Sequence, residues 1–214
     1  FGAADPAADA QIIAMALSAF LRLGLSDVGL QINSIGCPEC RKEYHKALKE
    51  YFTARKDQLC ETCLSRLERN PMRILDCKSP ECQEVCKDAP KITDYLCQDC
   101  RDHFEKVQSY LTALEIPFEI DPGLVRGLDY YTRTVFEFPS KSLGFALGGG
   151  GRYDGLVEEF GGKPTPGLGF GLGLDRILMA LDAQKVEFPQ PVKCEVYIAS
   201  MGEEAQKKAL QLMA

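Results

Sequence analysis

The sequence predicts an α+β protein: an antiparallel sheet with flanking helices, a helical cysteine-rich insertion, and the start of a small α/β unit at the end. Three observations carry this reading. Residues 130–138 form a β-branched and aromatic run that alternates as a strand does. Gly167, Gly169, Gly171 and Gly173 recur at every second position with Leu168, Phe170 and Leu172 between them, which on a strand gives one bulky apolar face and one bare face. Between the ends of the chain, helical stripes alternate with paired cysteines in a charged stretch.

The elements follow in order. Asp5 followed by Pro6 reads as an N-cap with proline at the first helical position, and Ile12, Ala16, Leu17, Phe20 and Leu21 carry a stripe as far as Gly24. Val28, Leu30 and Ile32 then alternate as a short strand ending at Asn33 or Ser34. Residues 1–34 are therefore assigned to the sheet-bearing core. Residues 35–116 form the insertion, with one helix from Pro38 (Tyr44, Ala47, Leu48, Tyr51 and Phe52 on a face) and one over 98–114 (Phe104, Val107, Leu111 and Leu114). From 117 to 186 the chain returns to the core. Phe118 and Ile120 mark a short strand, 130–138 and 143–149 an antiparallel hairpin, and 152–160 a short helix that Asp154 caps or orients. The glycine strand then feeds a helix over 174–184 whose stripe is Leu174, Ile177, Leu178 and Leu181. Residues 187–191, with two prolines, read as a linker. Residues 192–214 begin a new unit, with a strand over 194–200 and a helix from about Glu203.

All ten cysteines except Cys194 lie in the insertion. Cys37/Cys40, Cys60/Cys63 and Cys97/Cys100 are each CxxC, and Cys77/Cys82 is a slightly wider pair. Two thiolates three positions apart on a turn can share a tetrahedral zinc ion, and two such pairs complete a closed site. Eight paired cysteines thus suggest two structural zincs. Cys60, Cys63, Cys77 and Cys82 group locally; Cys37, Cys40, Cys97 and Cys100 would then tie the two helices together. A tandem grouping of Cys37, Cys40, Cys60 and Cys63 stays open, because loop-closure entropy rises slowly with length, as do reduced free thiols. His45 and His103 each lie near a CxxC and could replace a cysteine, although exposed helix histidines are the commoner case. Cys86 and Cys194 are left over.

Three segments hold the candidate binding residues. In 124–138, Arg126 stands beside Gly127, which makes a bend before the strand cheap. An arginine so placed suits bidentate contact with a phosphate or carboxylate; the alternative is a surface salt bridge. By parity Thr132, Thr134, Phe136 and Phe138 share one strand face, and Tyr131, Arg133, Val135 and Glu137 the other. Tyr130 and Tyr131 suit a pocket wall or an ordinary core. Gly148 to Gly151, including Gly150, bring backbone close to a ligand or simply turn tightly. The bare face at Gly171 would let a flat ring lie against backbone, with Arg176 near the following helix start able to reach over it; close packing of a helix is the other use of such glycines.

These residues resemble a known family. LVRGLDYY at 124–131 and GGRYDGL at 150–156 are similar to the two histidine-site signatures of histidyl-tRNA synthetases, and PGLGFGLGLDR at 166–176 to the third class II synthetase motif. The motifs stand in the family's order, and the spacing resembles it across nearly the whole chain. The resemblance implies a class II catalytic sheet, an insertion domain that reaches toward the tRNA acceptor stem, and an anticodon-binding domain beginning near 192. It implies that Arg126 contacts the reacting α-phosphate and carboxylate, that Tyr130 and Tyr131 line the histidine pocket, that Tyr153 closes it, and that Arg176 lies over the adenine and γ-phosphate of ATP. Gly150 and Gly171 join them as substrate-binding positions. Histidine, ATP with Mg2+ and tRNA(His) are the implied partners. Phe1 and Gly2 look like the last residues of the second motif, so the first motif, which makes the homodimer, and most of the second are expected upstream; the chain would then be a fragment, inactive alone.

Composition sets bounds on the alternatives. With 45% hydrophobic and 26% charged residues the chain has an ordinary globular composition. No apolar run approaches the roughly 20 residues of a membrane span, and no signal-peptide order opens the sequence, so a cytoplasmic location is expected. A net charge of -6 disfavours a broad nucleic-acid surface and leaves at most a local RNA contact through Arg66, Arg69, Arg73 and Lys78. A synthetase-like regulatory subunit of histidine biosynthesis (ATP phosphoribosyltransferase) is one competing function, disfavoured by the insertion and the final unit. A zinc-stabilised RNA-binding module without activity is the other, disfavoured by the acidic balance and the pocket motifs.

Overall fold

The structure, a computed structural model, describes residues 1–187 and 194–213. Its strands are β1 (Gln31–Ser34), β2 (Glu119–Ile120), β3 (Thr132–Ser140), β4 (Phe145–Arg152) and β5 (Leu168–Leu172), in the order β2-β1-β3-β4-β5. All neighbours are antiparallel except β1 and β2, which run parallel at one edge. The helices are α1 (Pro6–Arg22), α2 (Pro38–Thr53), α3 (Glu61–Arg69), α4 (Pro80–Lys87), α5 (Gln98–Ala113), α6 (Leu156–Glu159), α7 (Leu174–Ala183) and α8 (Glu203–Met213).

Two cores form, one on each face of the sheet. On one face Ile32, Phe136, Phe138 and Leu147 pack against α1, α5 and α7 through Ile13, Phe20, Phe104, Val107, Leu111, Ile177 and Leu181. On the other face Val135, Tyr131, Leu124 and Val125 meet the insertion through Tyr44, Leu48, Phe52, Leu67, Met72 and Ile74. The second insertion helix, α5, therefore lies in the same core as α1, while α2, α3 and α4 cover the opposite face. Asp5 caps α1 as its sequence suggests, its side chain accepting from the Ala7 amide at 2.8 Å.

Several expectations are corrected. The buried stripe of α1 is Asp9, Ala10, Ile13, Ala16 and Phe20; Ile12 and Leu17 pack at its edge, and Leu21 is exposed. In α7 the buried residues are Ile177, Ala180 and Leu181, while Leu174 and Leu178 face outward. In α5, Leu114 is exposed and the buried face instead includes His103. The helix expected over 152–160 shortens to α6, since Arg152 ends β4. Residues 194–200 are not a strand: no neighbouring strand takes up their backbone groups among the described residues. Most of the expected linker, and Val192, lie outside the described residues.

Parity along β3 also fails at one place. Arg133 has a left-handed φ of 51°, and the β3–β4 register shifts between Thr132 and Val135, an irregularity that carries two extra residues on β3. The Arg133 side chain consequently leaves the face of Tyr131 and Val135 and reaches His103 on the α1/α5 side, 3.4 Å from its Nδ1.

Candidate functional site

The segment joining β2 to β3 carries the site's aromatic wall. Among the described residues, no backbone–backbone hydrogen bond involves 125–131, so side chains fix its course. The Arg126 guanidinium pairs with Glu137 of β3 and lies 6.0 Å from the Tyr131 ring centroid. Its Nε is buried without a partner. Burial pushes the Glu137 carboxyl above its ordinary range, against the pull of Arg126. The rings of Tyr130 and Tyr131 stand 4.7 Å apart, and that of Tyr153, from the turn after β4, lies 5.8 Å from Tyr130 and 6.5 Å from Tyr131. Phe1 adds an edge contact to Tyr153 at 6.0 Å. Burial raises the phenols of both Tyr130 and Tyr153, so they remain neutral hydrogen-bonding groups at working pH.

The glycines form the floor. Register pairs Gly149 with Gly171 and Gly151 with Gly169, placing four bare positions on one face. A Cβ at Gly169 or Gly167 would meet the Tyr153 ring, one at Gly151 the Tyr131 ring and one at Gly149 the Arg126 guanidinium, whereas one at Gly171 would meet nothing. The flat ring lying on the glycine strand is thus largely that of Tyr153, and open space remains at Gly171. A cavity of about 480 Å³ results, lined by Arg126, Tyr130, Tyr131, Tyr153, Gly149, Gly169 and Gly171. Gly150 is a correction: it points to the other face, where a Cβ would strike the Gly169 carbonyl and Phe170, and Gly149 lines the cavity in its place. Arg176 is not in the lining either. Its Nη1 donates to the Ala146 carbonyl at 2.7 Å, and its guanidinium lies 5.3 Å from the Phe145 ring.

One functional group escaped sequence reasoning. Arg152 is fully buried and pairs with the equally buried Asp9, its Nη2 at 2.8 Å. It also donates to the Ala3 and Asp5 carbonyls at 3.0 and 3.1 Å and to Asp154 at 3.1 Å. Asp154 in turn accepts from the Gly167 amide at 3.2 Å. The network therefore ties the residues before α1 to the Tyr153 turn and to the glycine strand. His103 Nε2 completes it, 3.3 Å from Asp9. Burial alone would raise the Asp9 carboxyl, but the His103 hydrogen bond and the Arg152 charge hold it below its ordinary value. An aspartate inside the α1 stripe was the available signal.

The cysteines gather into two sets. The sulfurs of Cys37, Cys40, Cys97 and Cys100 lie within 4.8 Å of one another, as do those of Cys60, Cys63, Cys77 and Cys82. The tandem grouping does not occur. In each set a backbone amide donates to sulfur: Cys97 to Cys40 at 3.1 Å and Cys60 to Cys82 at 3.2 Å. Burial opposes ionisation of Cys37, but the Cys40 amide and thiol bring it down to about 7; the Cys63 amide brings Cys60 to about 7. Burial and the neighbouring sulfurs push Cys40, Cys63, Cys82 and Cys100 upward. Four crowded thiols without a cation resist full ionisation, and a divalent metal removes that penalty. The donor set, the spacing and the amide-to-sulfur bonds fit a tetrahedral zinc in each. Neither histidine joins a set: His103 is committed to Asp9, and His45 Nε2 is buried without a partner. Cys86 is apart, raised to about 11 by burial, and Cys194 is exposed.

The four basic residues named for RNA do not form one patch. Arg69 and Arg73 line a cavity of about 380 Å³ together with Arg41, Lys42 and His45. Arg66 braces the Arg73 carbonyl at 2.9 Å, and Lys78 lines a separate cavity.

Comparison with known proteins identifies this arrangement. The family model described as histidyl-tRNA synthetase matches residues 1–177. The chain is 48% identical over 213 residues to the histidine–tRNA ligase of Clostridium novyi (strain NT), covering 100% of this chain and 51% of the relative. It is 53% identical over 211 residues to that of Halothermothrix orenii, covering 98% and 50%. The apo histidyl-tRNA synthetase structure from S. aureus superposes with a TM-score of 0.71 at 38% identity, over 99% of this chain and 53% of that one. The chain thus spans about half the length of the curated relatives it matches. An ATP phosphoribosyltransferase regulatory subunit/histidyl-tRNA synthetase from Bacillus halodurans C shares the fold, with a TM-score of 0.56 at 24% identity over 85% of this chain and 51% of that one. No described helix is long and apolar enough to cross a membrane. With the family match over most of its length and relatives near 50% identity, the chain belongs to the histidyl-tRNA synthetases.

Proposed function

We propose that this chain contributes the amino-acid pocket of a histidine–tRNA ligase, which activates histidine with ATP and transfers it to tRNA(His). The observation that carries the proposal is the 480 Å³ cavity closed by Arg126, Tyr130, Tyr131 and Tyr153 over the open backbone at Gly171. Such a space, with a fixed cation at one wall and neutral phenols at the other, suits a charged amino acid bearing a small ring.

The first step joins the histidine carboxylate to the ATP α-phosphorus, with pyrophosphate leaving. Little covalent help is needed; positioning and charge neutralisation supply most of the catalysis. Arg126 supplies positive charge at the reacting carboxylate and phosphate. Glu137 holds the guanidinium in place until substrate arrives. Tyr131 and Tyr130 present hydroxyls to the imidazole, and Tyr153 closes the pocket. Magnesium accompanies ATP as part of the substrate. Arg176 serves the nucleotide end, after leaving the Ala146 carbonyl. The histidyl group then passes to the tRNA terminal ribose.

The zinc sites would be structural, since four thiolate ligands leave no open position for substrate. By this reading residues 1–34 and 117–186 form the catalytic core, 35–116 the insertion on the acceptor-stem side, 187–191 a linker and 192–214 the beginning of the anticodon-binding unit, in a cytoplasmic homodimer. The test is ATP–pyrophosphate exchange in the full-length protein with each amino acid in turn. Exchange driven by histidine alone supports the proposal. Its absence in a folded protein able to bind histidine would favour the regulatory-subunit reading.

A further inference from the structure

The insertion does more than sit beside the pocket, because it supplies the side chains that fix the pocket's irregular wall. Residues 125–131 carry Arg126, Tyr130 and Tyr131, yet make no backbone–backbone hydrogen bond among the described residues. Their backbone is held by insertion side chains. Arg41 Nη1 donates to the Tyr131 carbonyl at 2.9 Å and approaches that of Asp129 at 3.4 Å. Arg73 Nη1 donates to the Arg126 carbonyl at 3.2 Å, and Asn70 Nδ2 to the Asp129 carboxylate at 2.7 Å.

Each of these side chains lies close in sequence to a thiol cluster. Arg41 follows Cys40 on the first turns of α2, its own amide bonded to the Cys37 carbonyl at 3.1 Å. Cys97 and Cys100, at the start of α5, join that turn to the helix that packs on α1. Immediately before Cys37, the Gly36 carbonyl accepts from the Arg133 amide and the Ile35 amide donates to the Arg133 carbonyl, both at 2.8 Å. Gly36 itself has a φ of 65°, and a Cβ there would strike Cys40, so the turn admits little adjustment. Asn70 and Arg73 follow α3, which carries Cys63 of the second cluster.

We propose that Arg41 is a positioning residue for the histidine pocket, and that metal in the Cys37/Cys40/Cys97/Cys100 cluster fixes it, so that histidine affinity depends on metal loading. The inference rests on the zinc and ligase readings above. With the cluster filled, the start of α2 is clamped to α5, and the Arg41 guanidinium meets the Tyr131 carbonyl at a set distance. With it empty, the α2 turn can move, and the segment bearing Arg126 and the tyrosines loses an anchor. A hydrogen bond from a charged group contributes enough for its loss to change affinity about 10-fold or more.

The test uses the full-length protein, assayed with its metal and after chelation with the metal content measured, beside zinc-loaded Arg41→Ala and Arg41→Lys. Histidine KM and ATP KM are read from pyrophosphate exchange, and amide hydrogen exchange is followed over residues 126–133. The expected result for Arg41→Ala is a histidine KM raised about 10-fold, ATP KM near the parent, unchanged zinc content and faster amide exchange. Arg41→Lys, which keeps one donor, should recover part of the affinity. Chelation should reproduce the raised histidine KM and the faster amide exchange of Arg41→Ala, and the two changes together should be less than additive. A zinc-loaded Arg41→Ala with parent histidine KM and parent amide exchange would overturn the positioning role. A protein with no metal would overturn the metal link and the zinc reading together. Metal bound but removed without effect on histidine KM would overturn the link alone.

Discussion

Asp9→Asn isolates the buried network behind the pocket. Asp9 and Arg152 are both fully buried, and the substitution keeps shape while removing the charge that faces the guanidinium. Removing one partner of a buried pair typically costs about 3–5 kcal/mol, because the other charge is left without compensation. Here Asp154 stays 3.1 Å from Arg152 Nη1, and two carbonyls still accept from it, which places the expected loss near the lower end, about 3 kcal/mol. For a domain of this size that corresponds to a fall in melting temperature of about 6–12 °C, read by circular dichroism with chemical denaturation alongside. The pH dependence has a definite sign. The folded Asp9 carboxyl lies below its ordinary value, so its contribution is present above the unfolded value and is lost as pH falls through the folded one. The parent should therefore lose stability in strong acid more steeply than Asp9→Asn. The exposed pair Lys49–Glu68 is the control: Lys49→Met should melt with the parent. An Asp9→Asn protein as stable as the parent, with the same acid profile, would refute the reasoning.

Three further outcomes are expected. Gly171→Leu should melt within about 1 kcal/mol of the parent, since its Cβ meets nothing, yet raise histidine and ATP KM by intruding on the cavity; substrate titration checks this. Gly150→Ala should instead lose about 1–3 kcal/mol by overpacking, because the new methyl would meet backbone of β5; denaturant unfolding checks it. Elemental analysis should find about two zinc ions per chain, one for each thiol set.

Periodicity made much of this legible in advance. The glycine alternation and the aromatic run give β5 and β3 because a strand's two faces repeat every second residue. The CxxC pairs announce their chemistry through spacing, but their grouping depends on which helices meet, which spacing does not encode. The Arg133 displacement was hidden because a bulge breaks the period without a residue that demands it. Asp9, His103 and Arg152 were hidden for a different reason. His103 and Arg152 lie 94 and 143 positions from Asp9 along the chain, and apart from the place of Asp9 in the α1 stripe nothing local marks these side chains as buried until their partners are brought beside them. Gly150 shows the cost of reading a run of four glycines as one surface: alternate members face opposite sides, and Gly149 and Gly151 turn toward Arg126 and Tyr131.

The role of Arg126 is the part of the account on which the function stands. Histidine-dependent pyrophosphate exchange should be measured for Arg126→Ala in the full-length protein, beside its thermal melt. The account predicts a rate lower by about 10²–10³-fold, the usual effect of removing one charge-stabilising donor, with a melt close to the parent. Exchange near the parent rate in Arg126→Ala would contradict it.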